Sequence, residues 1–250
     1  MNMKAAYSYQ IDDSKKSIMI YYLVVALIIV FFGISISLSD TSNFQSSGGI
    51  ETSTAIFLFV LGLNSFKETF LMLLQNGVSR KTMFFSRLIA SGIICSGMMV
   101  IDRIIVNIIS GLTRNNPSFH ISGLYEDIFY NRAKELGFLQ KNAEGILLTL
   151  CLYFLTFSLG YFITTAYYRM SKAAKIAVSV GLPTGFFFVL PIVDATITNG
   201  RISRFIGYML GTILGLKKDH PYNFLLSAIV GTVLFLSFSW LLIRRSVDKR

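Results

Sequence analysis

The chain has 250 residues, 53% of them hydrophobic and 14% charged, with a formal net charge of +10 and a mean hydropathy of +0.61. Several apolar runs approach or exceed the ~18 residues that call for a membrane span, which excludes an ordinary soluble globular domain. The positive charge does not argue for nucleic acid, because Lys and Arg cluster at the ends of apolar runs rather than along one soluble face.

Residues 1–17 carry Asp12, Asp13, Lys15 and Lys16 and lead into a span with no small-residue cleavage site behind it, which reads as a retained amphipathic N-terminal segment on the cytoplasmic side. Six spans follow, at 18–38, 50–74, 84–112, 146–168, 176–197 and 222–243, so the expectation is a single all-α integral membrane domain over 1–250. With the N-terminus inside, the inner segments hold fourteen Lys and Arg and the outer loops eight, with Arg103 inside the third span. The positive-inside rule therefore predicts that both termini are cytoplasmic.

Spans two and three are separated only by "FKETFLMLLQNGVSRKTMFFSRL" (66–88), on the cytoplasmic side in this topology. Asn76-Gly77 is a turn signal, and Ser79 is placed to cap a short helix beginning with Arg80 and Lys81. The third span then carries Asp102 and Arg103, each costing roughly 2.5–3.5 kcal/mol at mid-membrane unless it faces protein or water. Arg103 shares a helical stripe with Ser96, Asn107 and Ser110, whereas Asp102 points about 100° away. Asp194, near the outer end of the fifth span, is the candidate partner for Arg103. These groups form either a structural ion pair or the polar lining of a cavity.

The outer loop 113–145 contains Tyr125, Ile128, Phe129, Arg132 and Leu136 at roughly helical spacing, as in an interfacial helix. Pro183 and Pro191, with Gly181 and Gly185, predict a kinked or unwound fifth span, which serves either motion or fit. The last loop, 198–221, is too apolar for an ordinary loop and reads as a short re-entrant or interfacial hairpin. In it Gly207, Gly211 and Gly215 repeat every four residues, giving a face for close helix packing.

No HExxH, GxSxG, Cys-His metal spacing or P-loop occurs, His120 and His220 lie in different outer loops, and Cys95 and Cys151 sit in apolar runs as small hydrophobes. Neither a catalytic site nor a metal or cofactor site is expected in this chain.

The six-span layout, the amphipathic N-terminal approach, the "QNGVSRKTMFFSRL" segment and the apolar stretch before the sixth span together resemble the ABC-2 permease family, the membrane subunits of type-2 ABC exporters. The resemblance implies that 75–86 holds a coupling helix that docks on a cytoplasmic ATPase, with Asn76, Gly77, Val78, Ser79, Arg80, Lys81, Met83 and Phe84 as the docking set. It implies that ATP and Mg are bound by that partner and that a second permease copy or a related permease completes the dimer. Asp102, Arg103, Asn107 and Asp194 would be candidates for the translocation path. Usage rich in Ile, Lys, Phe, Asn and Tyr is compatible with a low-GC bacterium. In such bacteria permeases of this layout serve export of amphipathic peptides such as phenol-soluble modulins, or immunity to antimicrobial peptides, at the cell membrane. The alternative reading is a non-transporting scaffold or sensor partner, with 113–145 as its sensing element.

Overall fold

Among the described residues, six helical segments are long and apolar enough to cross a membrane: Met3–Phe31, Gly49–Gln75, Arg80–Gly111, Phe138–Arg169, Lys172–Thr196 and Pro221–Arg244. The computed structural model describes residues 3–38, 44–47, 49–113, 119–216 and 220–244. In hydrocarbon every backbone amide and carbonyl must find an internal partner, and uninterrupted helix provides that. Each span expected from the hydropathy is present as a helix.

Helix α1 (Met3–Leu38) runs unbroken for 36 residues, so the expected N-terminal segment is helical and continuous with the first span. No proline interrupts it, and its first glycine is Gly33. Ala6, Gln10 and Ser14, four apart, are buried on one face, and Gln10 Nε2 donates to Ser86 Oγ (3.1 Å). Helix α2 (Gly49–Asn64) bends at Ser65, whose amide and hydroxyl both donate to the Gly62 carbonyl, and α3 (Lys67–Gln75) follows. Gly77, at φ +69, closes α3 in a left-handed turn. Ser79 Oγ then accepts the Thr82 amide (3.2 Å), capping α4 (Arg80–Thr113) as expected. The capped helix is the whole third span, however, and the short helix of this connection is α3, on the other side of the turn.

Beyond α4 a short strand β2 (Phe119–Ser122) pairs in parallel with β1 (Phe44–Ser47), in the register Phe44↔Phe119 to Ser47↔Ser122, an addition to the all-α expectation. The expected interfacial helix is broken at Phe129 into α5 (Leu124–Ile128) and α6 (Tyr130–Glu135). Tyr125 and Phe129 are buried with Leu148 in a small cluster of their own, so these turns cap the bundle.

Helix α7 (Phe138–Arg169) is central and packs on α2, α4 and, farther along, α11 (Pro221–Arg244). It runs parallel to α2, and the two cross backbone to backbone. A Cβ on Gly62 would stand 2.5 Å from the Phe157 carbonyl oxygen, and one on Gly160 would collide with the Phe59 carbonyl. The larger core lies at the α3 end, where Phe66 and Phe70 stack against each other and meet Tyr168 edge-on.

The fifth span consists of α8 (Lys172–Thr184), a π-helical turn (Gly185–Val189) and α9 (Leu190–Thr196). Pro183 has no amide hydrogen to give, and the ladder widens to i+5 spacing just beyond it, which is the form the expected kink takes. None of this span's apolar window is buried against the chain. In 198–221 the described residues form one amphipathic helix, α10 (Arg201–Ile213), whose last carbonyl accepts the Ser227 hydroxyl of α11 (Pro221–Arg244). Gly207 has nothing within 4 Å of a modest side chain's first carbon, and Gly215 (φ +73) serves as the left-handed stop of α10. Of the glycines expected to pack closely, Gly215 does approach the start of α11, where a Cβ would collide with the His220 carbonyl, whereas Gly207 is open; the closest helix–helix crossing is that of Gly62 and Gly160.

Candidate functional site

Alternating spans bring the start of α1, the tip of α3, the start of α4 and the end of α11 to one end of the bundle, and the loop elements α5 and α6 to the other. Two polar constructions stand out, one near each end.

The first is built round Arg103 of α4, whose side chain is 6% exposed. Its Nε donates to Asn142 Oδ1 (3.0 Å), and the Asn142 amide is held in turn by the Phe138 carbonyl (2.9 Å). Nη1 lies 3.7 Å from Glu51 Oε1 of α2 and Nη2 3.8 Å from Glu126 Oε1 of α5, ion-pair distances too long for hydrogen bonds. Lys141 Nζ shares Glu126 Oε1 at 3.0 Å. Two glycines make room for the guanidinium. A Cβ on Gly123 would come within 2.8 Å of Nη1, and one on Gly145 within 2.9 Å of Nη2. Glu51 is 1% exposed and is otherwise occupied by the Thr149 hydroxyl (3.0 Å) and the Leu124 amide. Its carboxylate thus ties the loop backbone to α2 and α7.

One residue back, on the other face of α4, Asp102 is fully buried and accepts hydrogen bonds from the hydroxyls of Tyr22 (2.9 Å) and Tyr153. The Tyr22 hydroxyl also lies 3.1 Å from the Met98 carbonyl. Asp102 and Arg103 are therefore separate sites, as their angular offset requires, and each joins a different set of helices.

The expected Arg103–Asp194 pair does not form. Asp194 of α9 accepts hydrogen bonds from the Thr198 and Ser203 hydroxyls and from the Ile202 (2.9 Å) and Ser203 (3.0 Å) amides. It caps α10 at its amide end, where the helix dipole also favours an acid. Asn107 reaches the Asn142 Oδ1 only at 3.4 Å. A third cluster binds α6 to α7 and α11: Arg132 Nη2 and Glu144 Oε1 are 2.7 Å apart, and the Tyr125 (2.6 Å) and Tyr222 (3.1 Å) hydroxyls donate to Glu144. Burial, reinforced by Glu144, pushes the Tyr125 hydroxyl above the usual tyrosine range, and the Glu144 hydrogen bond raises Arg132. Exposed His220 sits at 3.4 Å from Arg132, and Cys95 and Cys151 are free.

The second construction is the tip formed by α3, its turn and the start of α4. Lys67, Glu68, Gln75, Asn76, Gly77, Ser79 and Lys81 are exposed there, whereas Val78, Met83 and Phe84 of the expected docking set are buried. Those three are apolar footings of the turn and the third span. Arg80 Nη1 donates to the Arg244 carbonyl at the end of α11 (2.9 Å). Beneath the tip, Arg87 is buried, with Nη2 on Thr69 Oγ1 (3.1 Å), so α3 is tied to α4 by a charge-assisted bond.

Sequence reasoning singled out Asp102 and Arg103 but missed Glu51, Glu126, Asn142, Tyr22 and Tyr153. Glu51 carries the one available signal, an acid inside the second apolar run. Among the described residues no group of three or more His, Cys, Asp or Glu is arranged to hold a metal ion. No family model, curated protein or solved structure matches this chain.

Proposed function

We propose that this multi-pass membrane protein is the permease subunit of an ABC-2 type exporter in a bacterial cell membrane, with both termini cytoplasmic. Two such subunits, identical or related, would work with a separate ATPase that binds ATP and Mg, and the cargo would be an amphipathic peptide or lipid-like molecule. The observation that supports the reading is the tip of α3 and its turn: an exposed polar knob whose apolar underside and Arg87–Thr69 bond join it to the body of the bundle. A knob so anchored transmits a push to α4 and α2 rather than flexing under it.

The coupling role is therefore assigned to α3 and the 76–79 turn, with Lys67, Glu68, Gln75, Asn76, Gly77 and Ser79 as the contact surface. The Arg103 and Asp102 clusters are assigned to locking the opposite half of the bundle, since both are closed by protein groups.

The test is affinity purification of the tagged chain from its native membrane in mild detergent. A P-loop ATPase should be recovered stoichiometrically, and the exposed swap Lys67→Glu with Glu68→Lys should abolish recovery while insertion is retained. Absence of an ATPase under conditions that preserve a known ABC complex would sink the exporter reading and favour a scaffold or sensor partner.

A further inference from the structure

Between the first two turns of α4 and the end of α11 runs a groove of about 480 Å³, within the roughly 300–1,000 Å³ range of small-molecule sites. Its trough is apolar, lined by Phe84, Leu88, Leu236 and Trp240, and the Phe84 and Trp240 rings lie 5.2 Å apart. Phe85 and Val233, which border it, are 51% and 57% exposed, so the trough opens sideways off the helix bundle. Both walls belong to helices long and apolar enough to span a membrane, so in a bilayer that opening would face lipid.

Charge is confined to one end. Lys81 is the only ionisable residue of the lining, it is exposed, and no carboxylate among the described residues lies within ion-pair distance of it. Arg80 stands beside it, with Nη1 on the last carbonyl of α11. From Lys81 to Leu88 the helix rises roughly 10 Å, so the cation sits at headgroup depth and the trough at acyl depth. A free phosphate would leave the trough empty, and a zwitterionic lipid would bring a cation of its own to Lys81. We propose that the groove is a binding site for one anionic phospholipid, with its phosphate on Lys81 and one acyl chain along Phe84, Leu88, Leu236 and Trp240. The site requires only that α4 and α11 lie in a bilayer, so it stands or falls separately from the ATPase reading.

Trp240 is the sole tryptophan of the chain and lies in the trough, which makes its fluorescence the readout. The full chain is reconstituted in phosphatidylcholine vesicles into which phosphatidylglycerol or phosphatidylcholine with brominated acyl chains is titrated. Brominated phosphatidylglycerol should quench Trp240 with an about fivefold preference, the scale of one lysine near an anionic surface. Lys81→Gln should bring the two lipids to near equality, Lys81→Arg should keep the preference, and Ser237→Phe, which fills the trough, should weaken quenching by both. Equal quenching in the unaltered chain, or a preference that survives Lys81→Gln, overturns the proposal. Failure of both lipids to quench overturns it too, and assigns the groove to a protein occupant such as a second copy.

Discussion

Arg103 is held by one good hydrogen bond and two longer ion pairs, and its removal leaves Glu51 buried at 1% exposure without a cation. Breaking a buried pair from one side costs about 3–5 kcal/mol, and the long separations here place Arg103→Met at the lower end of that range. Adding Glu51→Gln should recover part of the loss, because the stranded charge goes with it; denaturation of the purified protein in detergent measures both. Asp102 behaves differently, since its partners are neutral tyrosines. Asp102→Asn, which keeps an acceptor for Tyr22 or Tyr153, should cost less than about 1 kcal/mol, whereas Asp102→Leu should cost about 1–3 kcal/mol by removing the carboxylate acceptor of the buried Tyr153 hydroxyl, while Tyr22 retains the Met98 carbonyl. Equal losses for the two would remove the hydroxyl cluster as the reason for an acid at this position.

Two elements differ from their sequence reading for reasons of chain geometry. Gly207, Gly211 and Gly215 have a spacing of four, but spacing says only which face they share, and no helix lies against Gly207. Gly62 and Gly160 are isolated in their runs and carry no local pattern, yet they form the tightest helix crossing described. Gly160→Ala should therefore destabilise by about 1–3 kcal/mol through overpacking, whereas Gly207→Ala should be neutral or slightly stabilising in helix α10. Comparison of their melting temperatures in one detergent decides between the two readings. The coupling segment shows the same limit. Turn chemistry at Asn76-Gly77 and the Ser79 cap were legible because they are local, but which side of the turn carried the short helix depended on the bend at Ser65, where α2 ends against α7.

At the scale of the molecule, hydropathy made the six spans legible, since the rule behind it concerns only length and apolarity. Their arrangement was not legible, because in lipid an outward face and a packed face are equally apolar, and Arg103 could be assigned to Asp194 as readily as to Glu51. The fifth span is the extreme case: Phe186, Phe187 and Phe188 are 59%, 69% and 64% exposed, and none of its window is buried. Phe187→Ala should change the stability of the isolated chain in detergent by less than about 0.5 kcal/mol, the ordinary range for a position without packing partners. A loss above ~2 kcal/mol would mean that this span is packed within a single chain after all.

The Arg103 cluster also bears on how the protein is made. Glu51 leaves the ribosome long before Arg103, and Glu126, Asn142 and Thr149 follow later still, so the charge network is complete only when the fourth span has begun to emerge. Until then each isolated span carries a charge that lipid disfavours by roughly 2.5–3.5 kcal/mol. The second, third and fourth spans therefore have reason to wait beside the insertion machinery and enter the bilayer as a group, whereas the fifth contributes nothing to that network and is free of it.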